Sequence, residues 1–459
     1  MTVSLSGLGI PAELVNIIQD NTLQRMFHDA LYPRLLFRSE AQPELWPANL
    51  GERMLMTRAG LISVDTTPLT PGTDPTPAGY AMEQWVAEAK QWGNSIDTHM
   101  PTSYVTMAST FLRNTVTLGL NAAETLNRNV RDSIYNAYAG GETNLSVAAL
   151  IGATQIQVAS INGFTEVLAN GRPVPVSAAN PIPVTFNGVA AANTVVAASP
   201  ANPADPLGPG TLFLGAGLSA GLLIRAVVRS EFRARRLRVG GGASVDAIVG
   251  TNVLTLQDVI NAVAVLRQNK VPPMSDGYYH VHLTPTAEAE IYQDNQFQRL
   301  HQSLPDSAAY RDLAIGQLVG CRFYRNTENP GSTNVGTLLA TGSSAFAGTS
   351  FHGDVINGAG LAIERTIVLG GGCVYEKYLD ESKFMTEAGV TGKIGEFTLV
   401  NGGVQVMSER IRYILRAPLD RLQQVVGQSW SFSGDYPVPS DQTTGGTARY
   451  KRAIIIEHA

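Results

Sequence analysis

The stretch at 101–139 limits the fold more than any other part of the chain. Val105, Ala108, Leu112, Val116, Leu120, Ala123, Leu126, Val130, Ile134 and Ala137 recur there every three or four residues, the stripe of an amphipathic helix. Thr102 or Ser103 after Pro101 can cap its start, and Gly140-Gly141 suits a left-handed exit. A continuous helix over this span would reach roughly 58 Å at ~1.5 Å per residue, longer than one compact domain needs. Asn114, Asn121, Asn127, Asn129, Thr110, Thr115 and Thr117 make it a poor helix former in isolation, so packing along its length has to hold it. The chain reads as built round a spine.

The rest of the chain is short of charge. Its 459 residues give room for two or three domains, and 44% hydrophobic residues supply their cores. Charged residues make up 15%, against about a quarter in ordinary soluble proteins, so much of the surface must be neutral polar or apolar, as in subunits of large assemblies. A net charge of -5 excludes a free nucleic-acid binder that relies on bulk positive charge, though not a local basic patch. Six of the 33 basic residues are Lys and 27 are Arg, and Arg is favoured where charges are fixed between surfaces. Cys321 and Cys373 are the only cysteines, so no disulfide framework is written here and a reducing compartment is expected. The first residues lack the basic region and apolar core of a signal peptide. The most apolar window, 212–228, is interrupted by glycines and Arg225, so no membrane span is expected. The reading is of a soluble chain, intracellular when made and not secreted.

Residues 1–50 carry a short helical pattern at 12–31, followed by Pro33, Pro43 and Pro47, and Phe27, Tyr32, Phe37 and Trp46 lie along them. Such an arm cannot bury its apolar side chains alone. Extended patterns at 51–64 and 80–96 flank a Pro/Gly-rich tip at 66–79 and suggest a projecting hairpin. After Gly141 the composition shifts to Ala, Val, Asn, Pro and Thr. Strand-like runs at 153–159, 173–177, 182–186 and 194–198 are separated by turns such as Asn162-Gly163 and Asn187-Gly188, which suggests an inserted β module. Residues 190–209 read as a low-complexity surface loop. Residues 255–268 predict an amphipathic helix capped by Thr255, 278–283 a strand, 285–292 a helix and 321–324 a strand. The tail is strand-rich at 397–415, 429–432 and 453–457, and the fold class is α+β.

Candidate chemistry is sparse. Gly215, Gly217 and Gly221 follow a strand-like Thr211–Leu214 and approximate a dinucleotide-binding turn, but the spacing is GxGxxxG and no acidic residue closes a following strand. Arg225, Arg229 and Arg233 are four apart and on a helix would share a face for phosphates or for a neighbour's carboxylates. With Arg235, Arg236 and Arg238 they form a cluster that repels itself unless partnered. His280 and His282 would point the same way from a strand, with Glu288 and Glu290 near in sequence, but no third ligand is fixed by spacing. Cys321 lies in an apolar strand pattern and reads as a core thiol. No nucleophile elbow, phosphate-binding loop, metalloprotease or calcium-loop motif is present. The chain is therefore not expected to be an enzyme, and no catalytic residue, cofactor or metal site is assigned.

The order of parts resembles the major capsid (coat) protein of tailed bacteriophages, with the Hong Kong 97-type fold. The closer likeness is a segment like 269–285 (NKVPPMSDGYYHVHLTP) preceding one like 315–328 (IGQLVGCRFYRNTE), with a G-x-x-x-G-x-x-F step matched by Gly316, Gly320 and Phe323. It covers about residues 10–140 and 250–435 in organisation. The resemblance implies an N-terminal arm at 1–50, an extended hairpin loop at 51–100 and the spine helix of a peripheral domain at 101–141. A β-rich insertion at 142–250 departs from the minimal fold. A helix at 251–275, an axial domain at 276–393 and a strand-rich return to the peripheral domain at 394–459 complete the implied plan. Its implied function is structural: self-assembly as hexamers and pentamers into an icosahedral shell, in the virion after a passage through host cytoplasm, enclosing double-stranded DNA without sequence preference. Implied partners are further copies, a portal, a separate scaffolding protein and a cement or decoration protein, with no membrane. Arg113, Arg128 and Arg131 become candidates for phosphate contacts on the inner surface. Arg53, Arg58, Lys90, Arg225, Arg229 and Arg233 become candidates for inter-subunit contacts. Nothing identifies a crosslinking Lys and Asn pair. Two alternatives stay open: another virion assembly subunit, of tail or sheath, and, less favoured, a nicotinamide-dependent oxidoreductase using the Gly215 turn.

Overall fold

The computed structural model describes residues 22–31, 36–47, 51–59, 82–101, 110–169, 172–187, 189–302, 316–328, 357–379, 393–394, 397–400, 403–416, 421–422, 424–441 and 450–459, with isolated positions between 68 and 79. The start of the arm, most of the 66–79 tip and the Thr102 or Ser103 cap lie outside the described residues. Two compact units divide the chain. The first comprises 1–54, 87–130 and 374–437, the second 55–86, 131–373 and 438–459. The spine helix, Thr110–Ala139 as described, contributes 110–130 to the first and 131–139 to the second.

The first unit is built on an eight-stranded sheet. Gln42–Leu45 pairs in parallel with Tyr375–Tyr378 at one end. Val425–Asp435 lies between Ile411–Arg416 and the long Lys90–His99, with Val425 opposite His99 and Gly434 opposite Lys90. Glu409 and Arg410 both adopt positive φ and form the tight turn joining Gly403–Ser408 to Ile411–Arg416, the geometry a two-residue hairpin requires. Within this unit the helix buries Phe111, Thr115, Leu118, Ala122, Leu126 and Val130. Leu112, Val116 and Leu120 sit half-buried at the flank. The inward stripe is thus one or two residues out of step with the expected one until the two merge at Ala123.

The cause is Thr115, which sequence logic places outward. Its hydroxyl lies 3.3 Å from the Phe111 carbonyl and 3.3 Å from the Tyr413 hydroxyl, and it accepts from Gln428 Nε2 at 3.0 Å. A hydroxyl with such partners is buried without penalty. Asn121 accepts from Trp430 Nε1 at 3.0 Å, and Asn127 from the Phe37 N–H at 2.7 Å. The spine therefore packs on the strand-rich return.

The second unit holds two six-stranded sheets. The first runs Glu142–Asn144, Val227–Ser230, Ile182–Phe186, Val189–Pro200, Gly210–Leu214 and Gln155–Val158, over a core that includes Leu145, Ile156, Phe164, Val184, Leu212 and Val228. Residues 190–200, expected as strand only at 194–198 within a loop, are strand throughout because Ile182–Phe186 and Gly210–Leu214 pair with them on both sides. The other sheet runs Arg236–Arg238, Ala453–His458, Glu364–Leu369, Tyr279–Leu283, Cys321–Arg325 and Gln317–Leu318. It brings the two resemblance segments side by side as parallel strands, Val281 opposite Phe323. Leu256–Gln268, with a Thr255/Asp258 capping box, fills this sheet's core with Val259, Ala262, Val263 and Leu266. Among the described residues the spine helix adds none to that cluster. The last turns of the spine instead donate Tyr135 Oη to the Arg365 carbonyl and Tyr138 Oη to that of Cys373, both at 3.0 Å.

Candidate functional site

The densest array of charge in the second unit forms where the spine helix ends. Its last carbonyls need donors, and Asn162 Nδ2 reaches that of Asn136 at 2.9 Å while Arg236 Nη2 donates to that of Ala139. A cation there also complements the helix dipole. Beyond the Gly140-Gly141 exit, Glu142 opens the first strand of the six-stranded sheet at 142–230. Arg238 Nη2 lies 2.5 Å, Arg229 Nε 3.3 Å and Arg233 Nε 3.9 Å from its carboxylate. Glu457, on the penultimate position of its strand, takes Arg238 Nε at 2.8 Å, Arg365 Nε at 3.3 Å and Arg236 Nη1 at 3.4 Å. Burial raises the Glu457 carboxyl pKa, but Arg238, Arg236 and Arg365 more than offset this and hold it at about 2. Five guanidiniums thus share two carboxylates.

This changes the reading of the arginine run. Arg225, Arg229 and Arg233 do not share a helix face, because Val227–Ser230 is a strand and Arg225 has φ 64°. Arg225 pairs with Asp246 at 2.7 Å, whose carboxylate also accepts from the Gly358 N–H at 2.6 Å. Apart from Arg235, the cluster does find partners, but in its own chain. Glu142 and Glu457 escaped the sequence reading because nothing local marks an acid whose cations are tens or hundreds of residues away.

Arg53, Lys90, Arg58 and Arg131 are also engaged within the chain. Arg53 Nε is 2.9 Å from Glu88 and Lys90 Nζ 3.9 Å from Asp435, and both side chains stay more than half exposed. Arg58 pairs with Glu83 and Asp441 and lies over the Trp85 ring at 5.5 Å. Arg113 is exposed and Arg128 half-buried. Arg131 is 0% exposed, with Nη2 2.8 Å from Asp132 and Nη1 3.4 Å from Glu328. That burial overturns its assignment to phosphate.

The glycine turn has its own structural use. A Cβ on Gly217 would lie 2.9 Å from the Gly152 carbonyl, so the glycine permits close approach of two backbones. No helix follows Leu214 before the next strand at Val227, which leaves a phosphate without the helix terminus the motif needs. His280 Nε2 is 2.9 Å from Asp276 and His282 Nδ1 3.1 Å from Asn326 Nδ2. Glu288 pairs with Arg325 at 2.6 Å, and Glu290 accepts from the Leu254 N–H at 2.6 Å. Among the described residues no three His, Cys, Asp or Glu are grouped to hold a metal. Burial pushes the Cys321 thiol up to about 12, far from a nucleophile's range. Among the described residues no helix is long and apolar enough to cross a membrane.

A second surface feature is an uncharged rim on the sheet at 142–230. Residues 146–154 and 215–224 contain no charged side chain, and a bridge between Ala149 and Leu222 joins them. Val147, Leu150, Ile151, Leu223 and Ile224 stand 53–81% exposed there. Contiguous exposed apolar groups of this size mark contact surfaces.

No protein-family model and no curated protein matches the sequence. Among solved structures the chain is similar to the capsid of the cyanophage P-SCSP1u, at 14% identity and a TM-score of 0.48, covering 93% of this chain and 88% of that one. It is similar to the capsid of Ralstonia phage GP4 at 11% identity and a TM-score of 0.49, covering 93% and 92%. A capsid chain of cyanophage Pam1 gives 10% identity and a TM-score of 0.48, covering 94% and 92%.

Proposed function

We propose that this chain is the major coat protein of a tailed bacteriophage, of the Hong Kong 97 type, and that copies tile as hexamers and pentamers into an icosahedral shell around double-stranded DNA. The observation that carries the assembly reading is the uncharged rim: large apolar side chains left in water on a chain with 15% charged residues are stabilised when copies cover them. The succession along the chain of arm, paired ribbon, long helix and strand-rich return adds support for the coat-protein form of assembly. In this reading the ribbon of Arg53–Ala59 and Met82–Glu88 belongs to the extended loop that lies over a neighbour. Arg53 and Lys90 retain exposure for contacts between copies. Arg113 and Arg128 are the remaining candidates for weak phosphate contacts. A portal, a separate scaffolding protein and a cement protein are the partners of such a shell, and the virion is its location.

Electron microscopy of the purified full chain tests the proposal. Closed shells are the expected outcome. Rods or rings would move the assignment to a tail or sheath subunit, and small discrete oligomers at all concentrations would refute assembly as the function.

A further inference from the structure

The arginine seam is short of acid. Glu142 and Glu457 are shared by five guanidiniums, and Arg233 holds the weakest share, 3.9 Å from Glu142 with 39% of its side chain exposed. Its Nη1 also donates to the Ser230 carbonyl at 3.2 Å. Arg233 lines a cleft of about 650 Å³ together with Arg235, Glu231, Pro183, Val184 and Ala192. Arg235 is exposed, and among the described residues neither it nor Glu231 forms an ion pair. Burial, aided by the like charges of Arg229, Arg236 and Arg238, lowers the Arg233 pKa against the pull of Glu142. Among the described residues, Arg233 and Arg235 thus face only Glu231 and a share of Glu142 that three arginines divide, which leaves the cleft an excess of positive charge next to a partly apolar wall.

We propose that this cleft is an oxyanion site whose occupant is an Asp or Glu side chain from a second copy of the chain. A guanidinium fork matches a carboxylate bidentately, and Pro183, Val184 and Ala192 suit the methylene stem behind it. A phosphate would turn oxygens toward that carbon surface. The chain's 38 acidic residues and net charge of -5 furnish carboxylates on every copy and disfavour the approach of a polyanion. The inference rests on the assembly reading above and adds to it the chemistry of one contact.

The test uses full-length Arg233→Lys, prepared as a mixture of ¹⁵N-labelled and unlabelled copies and treated with a zero-length carbodiimide. Mass spectrometry should find an amide joining position 233 to an Asp or Glu peptide of the other isotope. Cross-links confined to Glu142 or Glu231 of the same copy, or none at position 233, would overturn the proposal. In parallel, Arg233→Gln with Arg235→Gln should weaken association in sedimentation equilibrium by at least about tenfold, with circular dichroism checking the fold. Arg235→Gln alone, at an exposed position, serves if the pair fails to fold. An unchanged dissociation constant counts against the site, as does tightening of wild-type association by millimolar inorganic phosphate. Shells without the position-233 cross-link refute the site and leave the coat reading standing. The cross-link in small oligomers without shells does the reverse.

Discussion

At Glu457 burial and Coulomb attraction oppose each other, and attraction wins. The folded carboxyl sits at about 2 against an ordinary 4.5. A depressed acid stabilises the fold above its unfolded pKa, so the contribution is complete above about pH 4.5 and is lost as the pH falls toward 2. It should amount to on the order of 3 kcal/mol, read as the difference in urea unfolding energy between about pH 6 and about pH 2. Glu457→Gln should lower stability at neutral pH and flatten that acid limb, and an unchanged limb would show that other carboxylates govern it. Arg131 makes the complementary case, since its loss leaves the buried Asp132 facing fewer cations. Arg131→Ala should cost about 3–5 kcal/mol in denaturant unfolding, whereas a nucleic-acid ligand in solvent would cost almost nothing. On the sequence Arg131 looked outward because Glu328, one of its acids, is remote in the chain.

At the scale of the element, the spine helix was legible in its existence and its end, and less so in its face. Periodicity found Leu126, Val130 and Ile134 but chose Leu112, Val116 and Leu120 over Phe111, Thr115 and Leu118, because a pattern of apolarity cannot know that Gln428 and Tyr413 will satisfy a threonine. Leu118→Ala should therefore cost about 2–5 kcal/mol and Leu120→Ala markedly less, by paired thermal melts. Equal costs would return the stripe to its sequence-read position. The helix exit depends on Gly163, whose φ is +82° and whose added Cβ would stand 2.2 Å from the Gly141 nitrogen. Gly163→Ala should destabilise by about 2 kcal/mol or more, and a melting midpoint equal to wild type would show that the exit can yield. The strand at Val189–Pro200 was read as strand only at 194–198, within a loop, because its Ala, Asn and Pro content has little strand preference, which pairing on both edges overrides.

For the whole molecule, the low charge fraction and the excess of Arg over Lys were the informative composition signals, and both concern what the surface meets. The rim at 147–151 and 223–224 gives the first a location. Leu150→Asp with Leu223→Asp should leave the unfolding energy within about 0.5 kcal/mol, since both side chains are exposed, while shifting sedimentation toward single subunits. Assembly at wild-type concentration would mean that the rim is not a contact between copies. The second signal divided: most of the clustered arginines fix the chain to itself, and Arg233 with Arg235 is the part left facing outward.

The sequence by itself determined the helices at 110–139, 256–268 and 285–293, most strands and the strand-rich character of 142–230, because periodicity, caps and turn residues act over a few neighbours. It also determined the ordered likeness to phage coat proteins. Which arginines are bound and which face outward was decided only by the tertiary structure, since Glu142, Arg365 and Glu457 meet through three separate strands. The long helix at 110–139 stands at that division: its span was written locally, and its buried face was chosen by partners hundreds of residues away.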